Sequence, residues 1–466
     1  MPRPRTTQID REARILILGA GPGGLSAAHF LRRYGYKNVS VFEKLGRVGG
    51  MCRSITEDHQ TCDLGAVFVS SSYREVLRMA RSVGARLERF DGATAIQWNP
   101  EQGTAQFGGL LRHVLGESSL WRYLVLCLRY LWLRFRVRSV VGRTGWAGIG
   151  DHADLCVPFD DWLERNRLSE LRRLFELPVT TFGYGSLSEI AAPYVLKYLG
   201  LRTFLAVILT AAPFAWLLPS CLVARRFRFG FQRLWERLAW GLNVRLNVEV
   251  QRIERHADGV RVTYRHPMQL LGDTVLHSED NAAFDYLIVA CPLTHTELEQ
   301  ILDLTEEEKW FQSRSGYLPY AVASFEIADL VLPRRIAFVV PVQPAGRPML
   351  VGQSHRDNAL MTFHARLAHE VPTAEDESQL RESVQQLAKA LGGHIDEQDD
   401  WHSYDAWLYF KHVGAEQFRE GYFDRWEQAQ GKNRTFFVGG LFDFDYVEGV
   451  VRYSRELIER RFVGTP

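Results

Sequence analysis

Apolar positions follow different rhythms in different parts of this chain. Near the start, "RILILGAG" carries four consecutive apolar residues, Ile15 to Leu18, the pattern of a parallel strand buried on both faces. "NVSVFEK" repeats it at Val39 to Phe42, and the segment between reads as a helix stopping at Gly35. From about residue 70 to 225 the period becomes helical, as in "SSYREVLRMARSVGARL" and "FDDWLERNRLSELRRLFELPV", the latter with an acidic-to-basic trend that suits the helix dipole. From roughly 300 to 430, "LTEEEKWFQ" predicts a helix capped by Thr305, while "AVASFEIADLVL" and "IAFVVPV" alternate as strands do. "EDESQLRESVQQLAKALGGH" predicts a surface helix ended by Gly392 and Gly393.

Two segments fit none of these patterns. "LWRYLVLCLRYLWLRFRVRSVVGR", residues 120–143, threads Arg122, Arg129, Arg134, Arg136, Arg138 and Arg143 through Leu, Trp and Tyr, with no acid among them. Such an amphipathic helix suits an anionic membrane surface, an acyl-carrier surface, or a cap helix with its arginines in water. "FLAVILTAAPFAWLLPSCLVA", residues 204–224, is uncharged and as long as a membrane span, but Pro213 and Pro219 interrupt it and it joins two parts of one folded unit. A hairpin dipping into one leaflet, or a buried tunnel wall, is the better expectation. The membrane-facing region is accordingly placed at residues 120–143 and 204–228.

Composition narrows the class. A chain of 466 residues holds two or three domains. Its 56 Lys and Arg against 55 Asp and Glu create no global field for nucleic acid, and no nucleic-acid partner is expected. Six cysteines lack a CxxC pair and read as reduced thiols, and fourteen histidines without HExxH or paired spacing give no metal site. The N-terminus lacks the apolar region of a secretory signal, so a cytoplasmic location, peripheral on the inner face of a membrane, is expected.

The chemistry begins after the first strand. Gly19, Gly21 and Gly24 form GxGxxG: the first allows a tight turn, the second lets a pyrophosphate approach the backbone, and the third lets helix and strand pack closely. Pro22 and Gly23 open the helix, whose free N–H groups face the phosphate. Glu43 ends the second strand about twenty residues on, placed to hold a ribose bearing a free 2′-hydroxyl, as in FAD or NAD, with Lys44 beside it.

The residues after Glu43 favour FAD. "KLGRVGGMCRS" and "CDLGAVFV" resemble the flavin amine oxidase and phytoene desaturase superfamily, in which the GG pair supports the diphosphate and ribityl chain and the D-x-G-A segment passes the flavin ring. The resemblance implies these places for Gly49, Gly50, Met51, Gly65 and Ala66, with Arg47 and Arg53 either near the phosphates or in solvent. It also implies that "NVRLNVEVQRIER" meets the adenine near Val250, that "FDYLIVACP" is the return strand, and that "RTFFVGGLFDFDYVEGVVRYSRELIERRF" closes the cofactor domain through Gly439, Gly440 and Val450. Most members carry an acid where this chain has Gly440, so Glu448 or a water is the expected substitute. No Cys or His stands where flavin is attached covalently, which implies non-covalent FAD. The fold implied is α/β: a Rossmann-type FAD-binding domain of the GR2, amine oxidase-like kind (1–70, 226–300 and 431–466), a helical cap (71–225) and a mixed α+β substrate domain (301–430).

A narrower resemblance covers most of the chain. "VPFDDWLERNRLSELRRLFELPVTTFGYGSLSEIAAPYVLKYLG" and "WLYFKHVGAEQFREGYFDRWEQAQGKNRTFF" are similar to bacterial polyunsaturated fatty acid double-bond isomerases. In that family flavin N5 takes a hydride from the bis-allylic carbon of an acyl chain and returns it elsewhere. A carbocation-like intermediate calls for an apolar, aromatic lining, for which Phe182, Tyr184, Trp407, Tyr409 and His412 are the candidates; Tyr194 and Tyr198 read as packing residues. The family's carboxylate-holding arginine has no counterpart, since Thr94 stands nearest that position and Arg89 requires a shifted register. A free acid, thioester, ester or other polyene all stay open as the lipophilic substrate. Desaturation, amine oxidation, for which no lysine counterpart is evident, and the flavin-free lipid escort of GDP-dissociation inhibitors are the alternatives.

Overall fold

Ile15–Leu18 is the middle strand of a five-stranded parallel sheet in the computed structural model, which describes residues 9–57, 60–90, 92–211, 217–219, 221–269, 275–292, 295–353, 360–395 and 401–464. It pairs with Val39–Phe42 on one side and Tyr286–Val289 on the other; Asn243–Arg245 and Thr435–Phe437 form the edges. Both faces are covered, so Ile15, Leu16 and Ile17 are wholly buried and no polar alternation is needed. The helix Pro22–Arg33 follows the first strand and packs along the closing helix Val447–Ile458. One sheet therefore gathers strands from the beginning, the middle and the end of the chain. Glu249–His256, Gly259–Gln269 and Val275–Phe284 form a separate antiparallel layer.

The second large sheet has seven strands, in the order Ser403–His412, Gly316–Glu326, Leu360–Arg366, Leu350–Gln353, Ile336–Val340, Ala93–Asn99 and Thr104–Gly108. Its pairings are antiparallel except Ile336–Val340 beside Ala93–Asn99. The last two strands come from the stretch 71–225, expected to supply only helical cap, and this corrects that expectation. "ATAIQWN" is rich in strand-forming residues and buries Ala95, Ile96 and Trp98, and a turn with Gly103 at φ 61° returns the chain. A short strand, Leu87–Arg89, pairs antiparallel with Arg225–Phe227, and the rest of the cap is mainly helical, with Leu110–Leu115, Leu120–Arg136, Phe159–Arg165, Arg172–Val179, Ala192–Tyr198 and Leu201–Ala211 among its helices. Thr305 caps Glu306–Ser313, and its hydroxyl accepts from the Glu308 N–H at 3.2 Å.

A buried ion pair fastens the cap to the cofactor-side loop. Lys197 Nζ bonds the Asp443 carboxylate and the carbonyls of Gly145 and Arg143, the last at 3.0 Å, and lies 3.9 Å above the Trp146 ring. Burial pushes the lysine down to about 8 despite its partner. Among the described residues no single helix is long and apolar enough to cross a membrane; Ala192–Tyr198 and Leu201–Thr210 meet at a 73° bend. The expected hairpin in 204–224 lies partly outside the described residues.

Candidate active site

A cavity runs from the glycine turn to the inner face of the seven-stranded sheet. At its first end lie Gly19, Gly21, Pro22, Gly23 and Glu43. Glu43 is fixed from two sides: its carboxylate accepts the N–H of Ala20 at 2.7 Å and of Leu45 at 2.9 Å. Opposite the turn come Gly50, Met51, Gly65 and Ala66, and a Cβ on Gly50 would stand 3.0 Å from the Gly21 Cα. Side chains at these two positions would close the gap between the loops, and a chain of phosphates requires that gap open. Gly65 is needed for another reason, since its Cβ would overlap the Met51 carbonyl oxygen at 1.6 Å. Gly439, Gly440 and Val450 complete this end.

Other expected cofactor residues play structural parts. Gly24 lies outside the cavity, where a Cβ would sit 1.9 Å from the Gly19 oxygen, so it permits helix–strand packing. Gly49 holds the loop by donating to Ala20 O at 2.9 Å with φ 103°. Lys44 is exposed, and Val250 is half-buried at a strand bulge and is not a lining residue, although Val248, two residues before it, donates to Glu43 O at 2.8 Å. Arg47 lines the cavity and donates to Gly50 O at 2.7 Å, whereas Arg53 pairs with Asp405.

The structure contradicts Glu448 as the substitute for the missing acid. Its carboxylate accepts the N–H groups of Glu75 at 3.0 and 3.1 Å and of Val76 at 3.0 Å, at the start of the helix Arg74–Ser82. It faces that helix and not the cavity. Another acid stands where position 440 leaves room: a Cβ on Gly440 would lie 2.1 Å from Asp445 Oδ1. Asp445 lines the cavity and burial pushes it up to about 6.

Glu448 carries a measurable signature of its own. Burial raises it from an ordinary 4.5 to about 7, so the folded protein holds this proton more tightly than the unfolded chain does. Its stabilising contribution is complete below about pH 4.5 and is lost as pH rises through about 7, a range worth at most about 3 kcal/mol. Glu448→Gln removes that slope. Thermal melts of the two proteins at pH 5 and pH 8 are expected to show a smaller difference for the variant.

The far end of the cavity is aromatic. Phe182, Tyr184, Trp407 and Tyr409 line it as expected from the sequence; His412 does not, because it stacks on Phe410 at 4.9 Å outside the lining. Tyr198 lines the cavity too, so of the two tyrosines read as packing only Tyr194, whose hydroxyl accepts from the Val413 N–H at 3.0 Å, is placed by packing alone. The FGYG turn owes its glycines to a neighbour. At φ 84°, Gly183 would place a Cβ 2.6 Å from the Tyr320 ring, so the turn presses directly on that residue. Tyr320, Phe68 and His364 are lining residues that sequence reasoning missed. Tyr320 is 5.6 Å from Tyr409, Phe68 is 5.6 Å from Phe182, and burial without a charged partner pushes His364 down to about 4. Lys411, also missed, lines the cavity, bonds Gln312 and is pushed down to about 8 by burial. Thr94 and Arg89 are not among the lining residues; the Thr94 hydroxyl donates to Gly108 O at 2.9 Å.

Comparison with known proteins accounts for this arrangement. The profile of the flavin containing amine oxidoreductases matches residues 22–452. The crystal structure of a CLA-producing fatty acid isomerase from P. acnes superposes with a TM-score of 0.78 over 97% of this chain and 99% of that one at 22% identity, which establishes the shared fold. Mitochondrial protoporphyrinogen oxidase of Nicotiana tabacum is 40% identical over 73 residues, 16% of this chain and 14% of its own length. Polyenoic fatty acid isomerase of Ptilota filicina is 33% identical over 84 residues, 18% of this chain and 17% of its own length. The alignments thus span under a fifth of these two relatives. The family match reaches from the glycine helix into the closing helix, and the chain belongs to the flavin containing amine oxidoreductases, as an enzyme that uses FAD.

Proposed function

We propose that this enzyme relocates a double bond within a lipophilic unsaturated acyl chain. One observation carries the reading: the cavity continues from the glycine cradle into a wall of Phe68, Phe182, Tyr184, Tyr320, Trp407 and Tyr409. FAD, when bound, supplies a hydride acceptor able to return what it takes. The protein's share is to bind an apolar chain, exclude water and present ring faces to positive character at an allylic carbon. Burial holds the Tyr184, Tyr320 and Tyr409 phenols well above their ordinary range, so they stay neutral. His364 stays neutral for the same reason with the opposite sign. Of the charged lining residues, Glu43 and Arg47 lie at the glycine loops, whereas Asp445 adjoins the aromatic wall, its backbone carbonyl accepting from the Tyr184 hydroxyl at 3.1 Å, and Lys411 lies 5.1 Å over the Tyr317 ring. A substrate this apolar reaches the enzyme from a bilayer or on an acyl carrier.

The test is anaerobic incubation of the FAD-loaded protein with linoleate and with its thioester, followed by mass and diene absorbance. Unchanged mass with a conjugated diene is the expected result. Loss of two hydrogens would instead make the enzyme a desaturase, and an amine-dependent peroxide signal in air would make it an amine oxidase.

A further inference from the structure

The helix Leu120–Arg136 has seventeen residues, about 25 Å of length, and two unlike faces. Tyr123, Cys127 and Tyr130 are buried, and the Tyr130 hydroxyl donates to Leu199 O at 2.9 Å. The opposite face places Trp121, Leu124, Val125, Leu128, Trp132 and Phe135 in water, with Trp121 77% and Leu128 66% exposed. These residues recur at steps of three and four, so they form one stripe and not scattered contacts. A second helix, Leu201–Ala211, is packed against the first where the Phe204 and Tyr130 rings meet at 4.7 Å with a tilt of 36°, and it exposes Leu201 and Leu205.

We infer that this two-helix surface docks on an anionic lipid bilayer, with the Leu120–Arg136 helix lying flat in the headgroup region. The charge pattern selects the partner. From Ser118 to Gly150 there is no acidic residue, and Arg129, Arg136 and Arg138 are exposed along the stripe. Arg136 lies 4.9 Å over Trp132 and Arg138 lies 3.7 Å over Phe135, which keeps guanidinium and ring together at one depth. Two other arginines are committed to the protein: Arg122 pairs with Glu170, and Arg134 donates to Leu196 O. An acidic carrier protein needs the arginines but not an exposed row of tryptophan and leucine; a bilayer uses both. The docking surface also adjoins the substrate path, since Tyr198 lines the cavity three residues before the exposed Leu201.

Flotation of the FAD-loaded protein with phosphatidylcholine vesicles, with and without phosphatidylglycerol, tests this. Wild type is expected to float with the anionic vesicles. Each arginine at the surface is worth about a fivefold factor, so Arg129→Glu, Arg136→Glu and Arg138→Glu together are expected to weaken binding at least tenfold. Trp121→Ser, Leu128→Ser and Trp132→Ser together are expected to do the same, and unchanged flavin absorbance and melting temperature show that both variants are folded. Equal flotation of wild type and variants overturns the inference. So does a stable dimer that dissociates in the tryptophan variant, or binding of an acidic acyl-carrier protein that requires only the arginines and occurs without vesicle binding.

Discussion

Lys197→Met is expected to destabilise the protein by about 3–5 kcal/mol, the cost of leaving one member of a buried ion pair uncompensated. The side chains of Lys197 and Asp443 are 2% and 0% exposed, and after the substitution Asp443 keeps the Gly145 N–H at 3.2 Å and the charge of Arg452 but no hydrogen-bonded cation. Because the pair joins the cap helix Ala192–Tyr198 to the loop after Gly440, the loss spreads to the cavity wall at Tyr198 and Asp445. Chemical denaturation of the FAD-loaded protein measures it. Lys197→Met combined with Asp443→Asn removes the stranded charge and is expected to recover most of the stability, since buried pairs are costly to break and cheap to replace. A single variant as stable as wild type would show that the pair fastens nothing.

Asp445→Ala is expected to weaken FAD binding by about ten- to a hundredfold, the range for losing a hydrogen bond to a charged group. The expectation follows from the space at Gly440, where Asp445 Oδ1 stands 2.1 Å from the position a Cβ would take. That overlap yields a sharper test. Gly440→Asp forces two carboxylates into one volume and is expected to lower both flavin affinity and stability. Gly440→Asp with Asp445→Gly moves the acid back to the position after the glycine and is expected to restore the affinity. Fluorescence titration of apoprotein with FAD reads all three, and unchanged affinity in Asp445→Ala would remove the residue from the cofactor site.

The cofactor end was legible because its requirements are local. A tight turn, a close approach of phosphate and a pinned acid each demand one residue type at one spacing, so Gly19, Gly21 and Glu43 could be named from the chain alone, while Gly50 came from the family resemblance. Asp445 could not be found this way. It follows Gly440 by five residues in "GGLFDFDY", and only the tight turn Gly440–Phe442 brings it back over the glycine. The available signal, an acid among aromatics just after a glycine pair, pointed equally to Asp443, which is taken by Lys197.

The aromatic end was read in half. Phe182 and Tyr184 were visible because the FGYG segment carries the family resemblance and its chemistry calls for an aromatic lining. The neighbour of that turn, Tyr320, sits in "GYLPYAVASFE", where Tyr320 to Ala323 run apolar without a break and nothing distinguishes cavity from core. Ala93–Asn99 was missed for a related reason. It forms a hairpin with Thr104–Gly108 through the turn at Gly103, a signal present in the chain, but its other partner, Ile336–Val340, is far away in sequence and leaves no local mark.

The order of these pieces along the chain sets a timetable for synthesis. The edge strand Thr435–Phe437 and the lining residues from Gly439 to Val450 leave the ribosome long after the glycine turn at Gly19–Gly24. The cradle cannot close before these residues emerge, because its second half has not yet been made. FAD therefore meets a complete cradle only after Val450 has emerged, and until Thr435–Phe437 is made the parallel strand Tyr286–Val289 waits with one edge bare.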